Sequence, residues 1–520
     1  MSEQDLFLRT PIPLSFQSAD SILKTKVGIE ETHKSIRNRL RKHSVVAVAD
    51  VVLQAMSIRH SSIVEELRTV PWLKLLIVKW AFQDAAVPLT GTAPMPAPEL
   101  DLMCQQLWDS AAKEGRSGPE RNVFLMLRSL LHAQTEFQRK FTWSFLRWPA
   151  LYARLPEGKA RKQFREAIGM EPETFMDLVF GLYATVLSTK APMPADPLAP
   201  CRPQYGAAVD QLYALFARDL VSLRKELQQD RAQRLRGKHE LNEFPYLKRF
   251  PLLRGPDGRY YCWHRTVFAR GVEEAVHLRL SERFEGDYST NFSKVFEAYV
   301  TELAHESGLP LMPESHHKQL MGASSSAVEA VFEGEGCNIL VEAKMSLFAD
   351  DVLVVDNEQQ VFQKTKRVRE AIGQGWQVGR QLREHRELQQ RFNQPVDYLL
   401  VVTSGELLLG SGDKLQRIFP KGQFTYPEDD PDAERRLPLG NVFIISIEDY
   451  ELVMCCVKEG LVNLSEVVKS AAAANSRPES SKFFFADFLR PYIQKCGLPP
   501  LIQQAQEAAE ARLNAVFESA

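Results

Sequence analysis

The sequence predicts an α/β domain in the C-terminal half, preceded by a large, mostly helical region. Three observations carry this expectation. Through roughly the first 200 residues, apolar side chains recur at three- and four-residue spacing, as in Asp50–Ser57, Val123–Phe141 and Pro172–Ser188, the period of helices with one buried face. After Asp287 the pattern changes to short β-like runs, Ser326–Glu333, Asn338–Met345, Val396–Thr403 and Asn441–Ile447. Helical stretches at Asn291–Ser307, at Asn357–Phe392 and from Glu448 onward alternate with them, an order that builds a mixed sheet flanked by helices.

Taken in order, residues 1–204 read as a helical N-terminal region, interrupted by the Pro-rich breaks Pro88–Pro98 and Pro192–Pro203, which cannot continue a helix. The apolar stretch Trp72–Phe82 contains Lys74 and Lys79 and is too short to cross a bilayer, so it reads as a core helix. Residues 205–286 form a connector: a long helix from Tyr205 to about Arg236 with Gly237 as its stop, a hairpin turning at Gly255-Pro256-Asp257-Gly258, and a helix over Val267–Phe284. Residues 287–465 form the α/β domain. Residues 466–520 form a linker, Ala-rich over Ala471–Ser481, and a helical tail from Phe483.

Composition bounds the class of protein. With 44% hydrophobic and 25% charged residues and a formal net charge of −2, the 520-residue chain is that of a folded protein and not of an unspecific polycation. Seven scattered cysteines include no CxxC pair, which excludes a zinc ribbon or a disulfide framework and fits a cytoplasmic protein with reduced thiols. The N-terminus lacks a basic segment followed by a long apolar one, so no signal peptide is expected. No P-loop, HExxH or G-x-S-x-G motif occurs.

Chemistry concentrates in one place. Glu342-Ala343-Lys344 closes the apolar run Ile339-Leu340-Val341, the mark of a buried strand, and residues two apart on a strand project together. The run Val328–Phe332 precedes it, separated by Glu333-Gly334-Glu335-Gly336, a connection that favours a hairpin. Paired strands lie about 4.8 Å apart, so Glu329 can face Glu342. Two facing carboxylates make an oxygen site for Mg²⁺ or Mn²⁺, and a lysine beside them can orient a water and offset phosphate charge.

This arrangement resembles the PD-(D/E)xK nuclease superfamily, with its restriction-endonuclease-like fold, over roughly Asn291 to Gly460, about a third of the chain. The resemblance implies that Glu342 and Lys344 are the (D/E)xK pair and that Glu329 is the first acid. It implies further that Glu297, in VFEAYV, is the acid of the preceding helix. One of Gln374, Gln377 and Gln381, with Gln377 the choice, would supply the glutamine of the following helix. One departure stands out: the family's first acid is usually Asp, often after Pro, whereas Glu329 follows Val328. The implied activity is Mg²⁺-dependent phosphodiester hydrolysis, of DNA rather than RNA, in an effector of bacterial anti-phage defence or restriction. A degenerate nuclease fold acting as a nucleic-acid-binding or assembly subunit is the alternative.

Two basic stretches are candidates for phosphate contacts. Lys364, Lys366 and Arg367 flank the proposed site. Arg139–Arg165 mixes cations with Trp143, Phe145, Trp148 and Tyr152, a pattern suited equally to stacking on bases and to an aromatic helix core. The helical regions are where a protein partner or a second copy would dock. His316-His317 reads as a surface loop, His385 as solvent-exposed, and Cys455-Cys456 as core packing.

Overall fold

The computed structural model describes residues 29–519, apart from 59, 61, 92, 115–122, 138–142, 190–191, 234–237, 347–352, 355–356, 420–421 and 478. Gly237, Arg139, Lys140 and Phe141 therefore lie outside the described residues. The chain divides into two compact units. The first comprises Met1–Glu120, Ser129–Tyr288 and Pro500–Ala520; the second comprises Arg121–Arg128 and Ser289–Pro499. Most of the described residues are helical, and each unit contains one mixed sheet. No described helix is long and apolar enough to cross a membrane.

In the first unit, the Pro71–Gln83 helix is buried at every position, as its continuous apolar sequence requires. Its two lysines do not escape to water. Lys79 Nζ reaches Glu240 Oε1 at 2.7 Å, and Trp80 Nε1 donates to the other oxygen of that carboxylate at 3.1 Å. The expected single helix from Tyr205 to Arg236 is instead two helices, Ala207–Phe216 and Leu220–Gln233. Between them β1 (Ala217–Asp219) pairs in parallel with β2 (Leu252–Arg254), which pairs antiparallel with β3 (Tyr260–Cys262). Helical periodicity runs through Ala217–Asp219 in the sequence, and a tertiary ladder overrides it. The tail is also no free appendage. Arg512, on the Pro500–Ser519 helix, donates to Asp177 Oδ1 from Nη2 at 2.7 Å and to Oδ2 from Nε at 2.8 Å.

The second unit contains a five-stranded sheet in the order β4 (Leu311–Pro313), β5 (Ala330–Gly334), β6 (Cys337–Lys344), β7 (Val396–Thr403), β8 (Val442–Ser446). β4, β5 and β6 are antiparallel neighbours; β6, β7 and β8 are parallel. β5 and β6 form the expected hairpin, turning at Glu335-Gly336, where Gly336 takes φ +66°, a conformation that favours glycine. The expected Asn357–Phe392 helix is broken into Glu358–Lys364, Lys366–Glu384 and Arg386–Phe392. The linker expected over Ala471–Ser481 is helical as far as Asn475, in keeping with the helix propensity of alanine.

The Lys366–Glu384 helix crosses the sheet at close range because two of its glycines have no side chain in the way. A Cβ on Gly375 would meet Leu399 Cδ2 at 2.8 Å, and one on Gly379 would meet Asp397 Oδ2 at 2.5 Å. Beneath that crossing, Asp397 is fully buried on β7. Arg383 grips it bidentately, Nη1 to Oδ2 at 2.8 Å and Nη2 to Oδ1 at 2.9 Å, and Asn338 Nδ2 adds a bond at 2.8 Å. Removing one partner of a buried pair strands the other charge, at about 3–5 kcal/mol. Asp397→Ala is therefore expected to destabilise the second unit by about that amount, and Asp397→Asn by less. Urea unfolding checks this, and equal stabilities of the two variants would contradict it.

Candidate active site

Strand β6 carries the site because its side chains alternate. Leu340 packs into the core with Val331, Ala371 and Trp376, and the residues two and four further on, Glu342 and Lys344, project on that same side. The antiparallel register sets Ala330 opposite Val341, which brings Glu329, the residue before β5, beside Glu342. The charge of Glu342 acts directly on the Glu329 carboxyl. Glu329 Oε2 also accepts the Ala343 backbone N–H at 2.6 Å, and its main-chain oxygen accepts the Glu314 N–H at 3.1 Å. Lys344 donates to Glu342 Oε1. Glu342 is 1% exposed and Glu329 8%, so neither carboxylate can be stabilised by bulk water.

Burial raises both carboxyl groups above the usual carboxylate range. For Glu329 the charge of Glu342 pushes the same way; for Glu342 the Lys344 ammonium pulls back only in part. Two acids this close favour the state with one of them protonated over the state with two full charges. Glu342 Oε2 is buried without a hydrogen-bond partner. An oxygen-seeking cation would displace that proton and satisfy the orphaned oxygen. Among the described residues no group of three or more His, Cys, Asp and Glu side chains is placed to hold a metal ion, so the candidate donors here are the two carboxylates alone.

Glu297, on the second of the two helical segments of Arg265–Glu306, which break at Glu285 (φ +41°), belongs to the same neighbourhood. Burial raises its carboxyl, and Lys344, Glu314 and Lys318 all act on it electrostatically. The remaining expected residues divide. Arg367 donates from Nη1 to Met345 O at 3.0 Å, immediately after Lys344. Lys364 and Lys366 are exposed on neighbouring turns, and Lys366 pairs with Glu370 at 3.6 Å. Gln377 is exposed and accepts a hydrogen bond from Ser326. Among the described residues it makes no bond to Glu329, Glu342 or Lys344. A helix crossing β6 in the opposite direction carries its later turns away from the Lys344 end.

Three residues escaped sequence reasoning. Glu314 and Lys318 pair at 2.5 Å on the Glu314–Met321 helix. Glu314 acts on Glu297 and Glu342, and the carboxylates Glu329 and Glu297 help to raise Lys318. Their four-residue spacing is a helical ion pair, a signal hidden because the segment reads as a loop. Tyr450 is wholly buried with an unpartnered hydroxyl, and the charge of Glu329 helps to raise it. The expected loop at His316-His317 is in fact this same helix, and His317 is 1% exposed, with both ring nitrogens unpartnered and its pKa lowered by burial. His385 is half-buried, contrary to expectation, because it sits at the junction of two helices packed on the sheet. In the first unit, Phe145, Trp148 and Tyr152 of the basic aromatic stretch are buried, whereas Arg154, Lys159 and Lys162 are exposed. Arg147 is buried on Glu273 at 3.0 Å, Arg161 binds Glu173 at 2.6 Å, and Trp143 stacks on Phe180.

Comparison of the chain with protein-family models, with curated proteins and with solved structures found no match. The raised carboxyl groups mean that the folded state binds protons more tightly than the unfolded chain. Their stabilising contribution is thus present at low pH and lost as pH rises from about 4.3, the ordinary glutamate value, through their raised values. Metal-free protein is expected to melt at lower temperature as pH rises across that window. Glu329→Gln should flatten the decline and raise the melting point at pH 8 by about 2–4 °C for each kcal/mol recovered. Parallel declines in wild type and variant would rule the pair out as the cause.

Proposed function

We propose that the second unit is a metal-dependent nuclease of the PD-(D/E)xK type, with a restriction-endonuclease-like fold, that hydrolyses phosphodiester bonds in DNA. The observation that carries this reading is the convergence of Glu329, Glu342 and Lys344 at the end of β6, with Glu297 beside them. Two buried carboxyl groups held side by side are costly unless a cation is to sit between them.

Bound Mg²⁺ or Mn²⁺ would supply a Lewis acid and a water of lowered pKa. The chain's own residues do the rest. Glu329 and Glu342 are the metal donors, and the Ala343 N–H fixes the orientation of the Glu329 carboxylate. Once Glu342 is engaged, Lys344 is released to orient the attacking water and to offset charge building on the phosphate. Glu297 would receive a proton from that water, a role its raised carboxyl supports. Arg367, Lys364 and Lys366 are the cations nearest in sequence for holding the nucleic-acid backbone. Gln377 has no part in this scheme.

One observation favours a second reading. Lys344 and the Ala343 N–H already satisfy part of the carboxylate pair, so the fold can stand without metal as a nucleic-acid-binding or assembly subunit. A time course of plasmid cleavage in Mg²⁺ or Mn²⁺, run beside calorimetric metal titration, separates the two. Wild type is expected to cut, EDTA to abolish cutting, and Lys344→Ala to slow it by about 100- to 1,000-fold. Glu342→Gln should lose metal binding. Equal cutting by wild type and Lys344→Ala would refute the assignment, and a wild type that neither cuts nor binds metal would leave the second reading standing.

A further inference from the structure

A cavity of about 200 Å³ opens on the first unit, between the end of the Ala207–Phe216 helix with β1, the turn Tyr246–Arg249 and the first segment of Arg265–Glu306. Gly271, Glu274, Leu278 and Glu282 line it at three- and four-residue spacing, so one face of that segment makes the wall. Gly271 lets the turn come close: a Cβ there would meet Lys248 O at 2.0 Å. The close approach seats Lys248 and Arg249 on the cavity. Lys248 Nζ is buried on Glu274 at 2.8 Å. Arg218 is fixed as well, with its Nη1 donating to Ala214 O at 2.6 Å and Ala217 O at 2.8 Å and its guanidinium 4.2 Å from the centre of the Phe250 ring.

Four cations line the cavity against three carboxylates, and the imbalance falls at Glu282. That one carboxylate faces two guanidiniums, Arg249 Nη1 at 3.9 Å and Arg279 Nη1 at 3.4 Å. Neither contact is the short, two-pronged grip by which a guanidinium is well satisfied. The Arg249 guanidinium donates no hydrogen bond among the described residues and rests 5.4 Å from the centre of the Tyr246 ring. Both guanidiniums also lie deeper than their partner: 31% and 33% exposed, against 47% for Glu282. The cavity thus presents paired donors inside and a displaceable carboxylate at the rim. A phosphate monoester carries up to two negative charges and three strong acceptor oxygens, which suits two guanidiniums better than one carboxylate does. Half-buried Leu215 and Leu278 add an apolar wall. The volume is below the about 300–1,000 Å³ typical of sites for drug-sized ligands, so the ligand is small.

We propose that this cavity binds a small organic phosphate monoester, with the phosphate held between Arg249 and Arg279 and the organic body against Leu215 and Leu278. Glu282 competes with the ligand for the same two guanidiniums and sets how tightly it is held. Every residue in the site belongs to the first unit, so the inference is independent of the nuclease reading.

Calorimetric titration of the full-length protein with phenyl phosphate and with inorganic phosphate, in EDTA and at constant ionic strength, provides the test. Wild type is expected to bind phenyl phosphate saturably at one site, and more tightly than inorganic phosphate. Arg249→Ala and Arg279→Ala should each weaken binding by about 10- to 100-fold. Arg249→Ala gives up no hydrogen bond among the described residues, so its melting temperature without ligand should match wild type. Glu282→Gln should tighten binding, a gain that misfolding cannot produce. Absence of saturable binding by wild type, equal affinity of wild type and Arg249→Ala, or a Glu282→Gln variant that binds no more tightly would each overturn the proposal. A preference for an oligonucleotide without a terminal phosphate over the monoester would overturn it too.

Discussion

Everything in the second unit is arranged around the requirement that strand β6 lie in the middle of a sheet and still end in charged residues. Seven of its eight positions are buried. It is paired antiparallel to β5 on one side and parallel to β7 on the other, the latter along its whole length. A central strand cannot shift register without moving its entire apolar set to the wrong face. The positions of Glu342 and Lys344 are therefore set by Ile339, Leu340 and Val341 and not by the charges themselves. The hairpin carries that constraint back to Glu329, and the short β4 carries it to Glu314 at the start of the next helix.

The same constraint explains the electrostatics. Two carboxyl groups are held where packing puts them, with too little water to ionise both. The compensations are local and partial: one backbone N–H for Glu329, one ammonium for Glu342. A site optimised only for stability would have replaced one of these acids with an apolar residue of like size, at little cost or some gain. Retaining both, with Glu297 a helix away, concentrates acidity in a place that the core does not need it.

The sequence made the strands and their partners legible because their signals are local. Val396–Thr403 is the strand at its expected limits, and the β5–β6 hairpin follows from two β-branched runs around a Gly-rich turn. Glu342 and Lys344 could be placed together from strand periodicity, and Glu329 beside them from the expected hairpin. Elements set by distant partners were not legible. β1 interrupts a helical pattern because β2, thirty-odd residues later, offers it a ladder. His317 is buried because a helix forms where histidines and a serine suggest a loop. Gln377 was assigned by its spacing on a helix face, but which turn of a helix reaches a strand end depends on where the helix crosses the sheet. Gly375 and Gly379 decide that crossing through a closeness of approach that no pattern of apolar residues encodes.

That crossing has a consequence for how this sequence can drift. Gly379, Arg383 and Asp397 occupy one volume: the absent side chain of the first makes room for the carboxylate of the third, which the second neutralises. A mutation at any one of them alone produces a clash, an unpaired guanidinium or an unpaired carboxylate. An apolar replacement of the ion pair is accessible only by a double change, through an intermediate less stable than either end point. The three positions are thus linked as a historical unit, and a lineage that leaves this arrangement has to cross a valley to do so, although none of the three touches the residues proposed to do chemistry.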